Sequence, residues 1–205
     1  MRTQNQSRIE ERIIKAEYGA VFVTSDFTDI ASFDSANRVL NRLVSYERLK
    51  RVMRGIYYKP KYNSILNEYI APTPDNVAKA IARNYGWDIA PSGEVAMNML
   101  GISTQVPTVW SYVCNGAYRE YSYGNILLKF QKTTGKEISN YSYNTVLVIQ
   151  ALKAYGKTNI NDKVISKISR KLSQKDKQIM LAESRTTTAW IYETIKNICN
   201  WETIR

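Results

Sequence analysis

The stretch DSANRVLNRLVSYERLKRVMRGIYYKP, residues 34–60, constrains the fold most, because its apolar residues change period partway along it. Ala36, Val39, Leu40, Leu43 and Val44 recur at i, i+3, i+4, i+7 and i+8, the stripe of an amphipathic helix that Asp34 or Ser35 can cap. LKRVM and GIYYKP then read as two β-prone runs joined at Arg54-Gly55, a glycine-containing hairpin turn.

Upstream, SRIEERIIKA spaces Ile9, Ile13 and Ala16 as a helix that Gly19 ends, and Val21 and Val23 fit a short extended piece. Thr24 or Ser25 can cap a second helix of about two turns that buries Phe27, Ile30 and Ala31. Helix, short helix, helix and basic hairpin follow one another in the order of a winged helix-turn-helix. In that arrangement the third helix enters the major groove and the hairpin lies across the phosphate backbone or an adjacent groove.

Charge supports the same direction. The net charge of +11 is concentrated in two blocks: residues 34–62 hold eight bases and two acids, residues 153–177 hold another eight and two, and the rest of the chain is near balance. Two concentrated patches point to surfaces that meet polyanions or acidic partners. On the helix of residues 34–45, Ser35, Asn37, Arg38, Asn41, Arg42 and Ser45 fall opposite the apolar stripe, with no acid among them. Arg bonds guanine N7 and O6 bidentately, Asn does the same at adenine, and Ser serves either role. Lys50, Arg51, Arg54 and Lys59 are placed for phosphate contacts, which position a protein without reading sequence. The alternative is a small helical domain whose basic side is merely solvated.

In the second half, NSILNEYIAPTP (63–74) carries two prolines and little periodicity and reads as a linker. A helix beginning at Pro74 and Asp75 turns Val77, Ala78, Ile81 and Ala82 inward and ends at Gly86. GEVAMNMLG is a second short helix; it lacks the glycine spacing of a phosphate-cradling loop. TVWSYVC and NILLKF suggest a small sheet, separated by NGAYREYSYG. Tyr112, Tyr118, Tyr121, Tyr123, Tyr141 and Tyr143 are either half-buried sheet positions or a stacking platform for single-stranded bases. Asp88 with Glu94, or Glu120 with Glu137, form no recognisable two-carboxylate metal motif.

From residue 142 four helices follow. The second sets Val164, Ile165, Ile168 and Leu172 on one side and Lys163, Lys167, Arg170 and Lys171 on the other; Lys153, Lys157, Lys175 and Lys177 extend the patch. Its cations have no Glu four residues before them, so intrahelical pairing does not explain them, and an acidic partner is expected.

The chain has no histidine, which removes Ser-His and Cys-His nucleophiles and histidine general bases. Cys114 and Cys199 make neither a disulfide framework nor a metal spacing. No apolar run reaches the roughly 18–20 residues of a membrane span, and the N-terminus lacks the apolar centre of a secretory signal. The expectation is a cytoplasmic binding protein that is not an enzyme and carries no metal or cofactor. Its fold class is α+β, mostly helical: a winged helix-turn-helix over 1–62, a linker over 63–74, and a mixed α/β domain over 75–205 ending in several helices.

GAVFVTSDFTDIASFDSANRVLNRLVSYERLKRVMRGIYYKP, followed by PTPDNVAKAIARNYGWDIAPSGEVAMNMLGISTQVP, resembles the AbiEi family, antitoxins of type IV toxin–antitoxin systems associated with abortive phage infection. The resemblance covers most of residues 1–138, and its most specific piece is PSGEVAMNMLGISTQVP. It implies a winged helix that represses its own promoter at inverted repeats of double-stranded operator DNA. It also implies a C-terminal domain that opposes a nucleotidyltransferase-like toxin without a stable complex. By position it makes Asn37, Arg38, Asn41 and Arg42 base-facing and Arg51, Arg54 and Tyr57 the wing. It leaves the oligomeric state open.

Overall fold

In the computed structural model, which describes residues 4–133 and 138–201, the N-terminal apolar spacing becomes helix α1 (Gln4–Lys15) with Ile9 and Ile13 buried. The chain is an α+β protein of two compact units, Met1–Trp87 and Asp88–Arg205. Among the described residues no helix is long and apolar enough to cross a membrane.

In the first unit, α1 is followed by strand β1 (Val21–Val23) and a single 3₁₀ turn, Thr24–Phe27, where the sequence suggested a two-turn helix. Local side chains divert the backbone: Asp26 Oδ2 accepts from Val23 N at 2.9 Å, and Thr28 Oγ1 donates to Ser25 O at 2.9 Å. Such bonds compete with helix propagation. The expected burial of Phe27, Ile30 and Ala31 is nevertheless present. Arg12 holds this segment to α1 by donating to Asp29 Oδ2 at 2.6 Å and Asp26 O at 2.7 Å, and the guanidinium keeps the Asp29 carboxyl below its usual range.

Helix α2 (Phe33–Ser45) buries Ala36, Val39, Leu40 and Leu43. Its N-cap is Ser32, whose Oγ accepts from Ser35 N at 3.4 Å, rather than Asp34 or Ser35. Strands β2 (Lys50–Met53) and β3 (Ile56–Tyr58) form the expected hairpin; Gly55 occupies its turn at φ +78°, a conformation that suits glycine. β1 pairs antiparallel with β3, giving the order β1-β3-β2. Leu49 and Tyr57 close the core over Ile9, Phe27 and Leu40.

The first unit extends past the boundaries read from sequence. The linker stretch contains a two-stranded hairpin, β4 (Lys61–Asn63) with β5 (Glu68–Ile70). Helix α3 (Pro74–Tyr85), capped by Thr73 and ended by Gly86 at φ +64°, belongs to this unit and not to the next. The cause is a long-range tie: Arg83 donates to Val21 O at 2.9 Å and to both oxygens of Asp26 at 3.0 and 3.1 Å.

The second unit begins with β6 (Ile89–Pro91) and α4 (Gly93–Met99). β7 (Val109–Cys114) and β9 (Ile126–Lys132) are the expected strands, and they run parallel. The segment between them is itself a strand, β8 (Arg119–Tyr123), which turns at Gly124 to pair antiparallel with β9, so the sheet order is β6-β7-β9-β8. Helices α5 (Tyr143–Tyr155), α6 (Asp162–Lys171), α7 (Gln174–Glu183) and α8 (Ala189–Cys199) follow. α5 buries residues around most of its circumference and packs against α4 and α7, and its Val148 and Leu152 share one core cluster with Ile168 of α6 and Ile191 and Ile195 of α8. Each such side chain, fully buried, contributes about 1.5–3 kcal/mol. Both cysteines are free, and burial pushes the Cys114 thiol up and the Cys199 thiol up to about 11, so both are neutral at physiological pH.

Candidate nucleic-acid interface

The amphipathic pattern of α2 leaves Ser35, Arg38, Arg42 and Ser45 exposed opposite the buried stripe. The guanidinium groups of Arg38 and Arg42 engage no other side chain among the described residues, so both are available to a ligand. Phe33 at the first position of the helix is 54% exposed beside this face. Periodicity did not single it out because it lay in the link before the helix; an apolar ring there suits a thymine methyl.

Asn37 and Asn41 have a different job from the one read from sequence. Both are half-buried. Tyr57, only 2% exposed, donates its hydroxyl to Asn37 Oδ1 at 3.2 Å and Asn41 Oδ1 at 3.3 Å. Asn41 Nδ2 donates to Asn37 O at 2.9 Å, and the Arg51 guanidinium donates to Asn41 Oδ1. The Arg51 guanidinium carbon also sits 5.6 Å from the centroid of the Tyr57 ring. The two amides and Tyr57 therefore lock α2 to the β2–β3 hairpin instead of presenting edges to a groove. The reason is positional: Tyr57 lies on the sheet face that packs under α2, a contact no helical wheel of α2 contains.

Of the four phosphate candidates, Arg51 and Arg54 are exposed on the hairpin. Lys50 is half-buried, with its ammonium 4.4 Å from the Tyr69 ring centroid and 3.9 Å from Glu47. Lys59, placed by sequence among the phosphate contacts, is committed to the protein's own backbone. Its ammonium donates to Ile14 O at 2.7 Å and Ala16 O at 2.8 Å, closing off carbonyls at the C-terminal end of α1 where the macrodipole favours a cation. Lys59→Met should therefore cost stability, about 1 kcal/mol in urea denaturation.

In the second unit, Lys163, Lys167, Arg170 and Lys171 project from α6 opposite its buried stripe, and Lys153, Lys157 and Lys175 are also exposed. Lys167 reaches back to Gly101 O at 3.3 Å. Lys177 does not belong to this surface: it is 3% exposed. The Ser173–Asp176 capping box starts α7 at Gln174, and this register turns Lys177 inward, where its carbonyl accepts from Cys199 Sγ at 3.5 Å.

The tyrosines do not assemble as a stacking platform. Tyr112 is buried and stacked on Phe130 at 5.7 Å, with Tyr121 edge-on to the same ring at 5.9 Å. Burial pushes the Tyr123 hydroxyl to about 12; Tyr141 and Tyr143 are half-buried, and Tyr118 is exposed. The carboxylates serve local structure. Asp88 accepts from Asn115 at 2.9 Å and Ser139 at 3.3 Å, Glu94 from Ser103 at 3.4 Å, and Glu120 pairs with Lys129 at 2.9 Å. Glu137 lies outside the described residues. Among the described residues no group of three or more His, Cys, Asp or Glu side chains could hold a metal ion.

No curated protein matches the chain. The family described as "Family of unknown function (DUF6088)" matches residues 8–180, from α1 through most of α7. That span takes in both α2 with its hairpin and the basic side of α6, and the chain belongs to this DUF6088 family.

Proposed function

We propose that the protein binds double-stranded DNA through a winged helix in its first unit, and that it is a transcriptional autorepressor and antitoxin of the AbiEi type. The observation that carries the DNA reading is the pairing of two guanidinium groups that meet no other side chain among the described residues, Arg38 and Arg42, with a rigid mount. The Asn37–Asn41–Tyr57 network holds α2 against a hairpin that carries Arg51 and Arg54. A fixed helix that presents exposed arginines loses little freedom on docking, which favours sequence readout over loose electrostatic association.

The antitoxin half of the reading rests on the resemblance over residues 1–138 and on the exposed cations of α6. On this reading the protein acts in the bacterial cytoplasm, on inverted repeats before its own gene. It opposes a nucleotidyltransferase-like toxin through the lysine-rich surface, without a lasting complex, and is itself no enzyme.

Salt dependence tests the DNA half directly. With about five cations (Arg38, Arg42, Lys50, Arg51 and Arg54) on phosphates or bases, log K should fall with log[salt] at a slope of roughly −4 to −5. A slope near zero removes the proposal. For the antitoxin half, the full chain is expressed beside the neighbouring toxin gene. Arg38→Ala with Arg42→Ala should lose repression and keep rescue of growth, whereas Lys163→Glu with Lys171→Glu should lose rescue. Failure of the wild type to rescue growth would reduce the protein to a regulator, and equal rescue by every variant would take the antidote role away from the α6 surface.

A further inference from the structure

The β4–β5 hairpin exposes apolar side chains that no described residue of its own unit covers. Ile65 at its tip is 91% exposed and Leu66 62%, while Tyr62 and Tyr69 stand half out of the surface with their rings 5.2 Å apart. An isolated two-stranded hairpin is marginal in water, yet this one is held stiffly. Asn63 Oδ1 accepts from Ile65 N at 3.0 Å and Leu66 N at 3.3 Å, and the Tyr62 hydroxyl donates to Asn67 Oδ1. A rigid turn that holds out two aliphatic side chains has the form of an anchor, since little freedom is lost when it docks.

Beside it lies a groove of about 540 Å³ whose apolar walls are Ile14, Tyr18, Leu43, Tyr62 and Tyr69. The hairpin cannot fill this groove itself, because Tyr62 and Tyr69 at its base form one wall and Ile65 and Leu66 point off its far end. Knob and hole thus occupy one continuous surface. That is the condition for a two-fold contact, in which each copy gives the other what it receives.

Charge selects among occupants. The groove's ionic side chains are two acids, Glu10 and Glu47, and two bases, Arg48 and Lys59, and the hairpin strands add Lys61 and Glu68. Within the groove Arg48 lies 3.8 Å from Glu10, so part of this charge is already paired. In a chain of net charge +11 this balanced face offers no pull to nucleic acid or to an acidic protein. It is a face on which two strongly basic copies can meet without repulsion.

We propose that the β4–β5 hairpin is a homodimerisation element, with Ile65 and Leu66 of each copy seated in the groove formed by Ile14, Tyr18, Leu43, Tyr62 and Tyr69 of the other. The contact belongs to the free protein and is independent of the DNA reading. The resulting two-fold would also set two copies of α2 in a symmetric relation.

Sedimentation velocity on the full-length protein without nucleic acid tests this. The wild type should sediment at twice the 23.6 kDa chain mass at micromolar concentration. Ile65→Asp and Ile14→Asp, each checked for native circular dichroism, should sediment as monomers. Mixing the two variants should restore part of the dimer, because one of the two contacts in the mixed pair is then intact on both sides. A wild type that stays monomeric overturns the proposal, as does a dimer indifferent to both substitutions or a mixture that stays monomeric. Retention of operator DNA by a monomeric wild type would leave the DNA reading standing while this one fell.

Discussion

Replacing Arg38 and Arg42 together by alanine should abolish discrimination between operator and random DNA while leaving the fold intact. Both side chains are exposed and engage no other side chain among the described residues, so their removal should change stability by no more than about 0.5 kcal/mol. Each bidentate arginine–guanine pair is worth about 1–3 kcal/mol of discrimination. Two of them make about 2–6 kcal/mol, a loss of at least about 30-fold. The contrast is with Arg54→Ala, which should weaken operator and random DNA alike by removing a phosphate contact. Fluorescence anisotropy on matched operator and scrambled duplexes separates the cases. If the double variant keeps the full preference for operator, α2 is not the reading helix. Asn41→Ala behaves differently again: it leaves the Tyr57 hydroxyl and Arg51 short of a partner, so its main effect should be on stability, about 1–3 kcal/mol.

Phe27→Ala should be the most damaging single substitution in the first unit. Phe27 is fully buried in a 3₁₀ turn, its ring 5.8 Å from Phe22 and 5.7 Å from the Arg12 guanidinium carbon. Truncating a buried phenylalanine costs about 3–5 kcal/mol, transfer and cavity together. A domain of this size has only about 5–15 kcal/mol in hand. The urea midpoint should drop accordingly, and DNA affinity should fall with the folded fraction rather than through any lost contact. A change below about 1 kcal/mol would mean that the turn relaxes into the cavity and that Phe27 is not an anchor of this core. The comparison with Arg38 and Arg42 matters: one variant loses recognition while folded, the other loses the mount.

How much of this was legible in the residues depends on how far each feature reaches along the chain. The apolar stripe of α2, the hairpin turn at Gly55 and the start and stop of α3 at Pro74 and Gly86 were readable because periodicity, turn chemistry and capping act within a few residues. The exposure of Arg38 and Arg42 followed from the same wheel. The short helix at Thr24 was overestimated because the wheel sees apolar spacing and not the Ser, Thr and Asp side chains that capture the backbone there.

What local pattern could not supply was the fate of polar groups that meet distant neighbours. The Tyr57 hydroxyl reaches Asn41 across 16 residues, Lys59 reaches Ile14 across 45, and Arg83 reaches Asp26 across 57. Those three contacts, with the second bond of Tyr57 to Asn37, turned two candidate base readers into struts, a candidate phosphate contact into a helix terminator, and a supposed linker with its helix into part of the first unit. The residues themselves determined which faces are greasy and which are charged, since burial of apolar surface is decided by local period. Only the tertiary structure decided which charged and amide groups remain unspent, because a polar group buried against the chain must find a partner there, and that partner is chosen by packing and not by sequence neighbourhood.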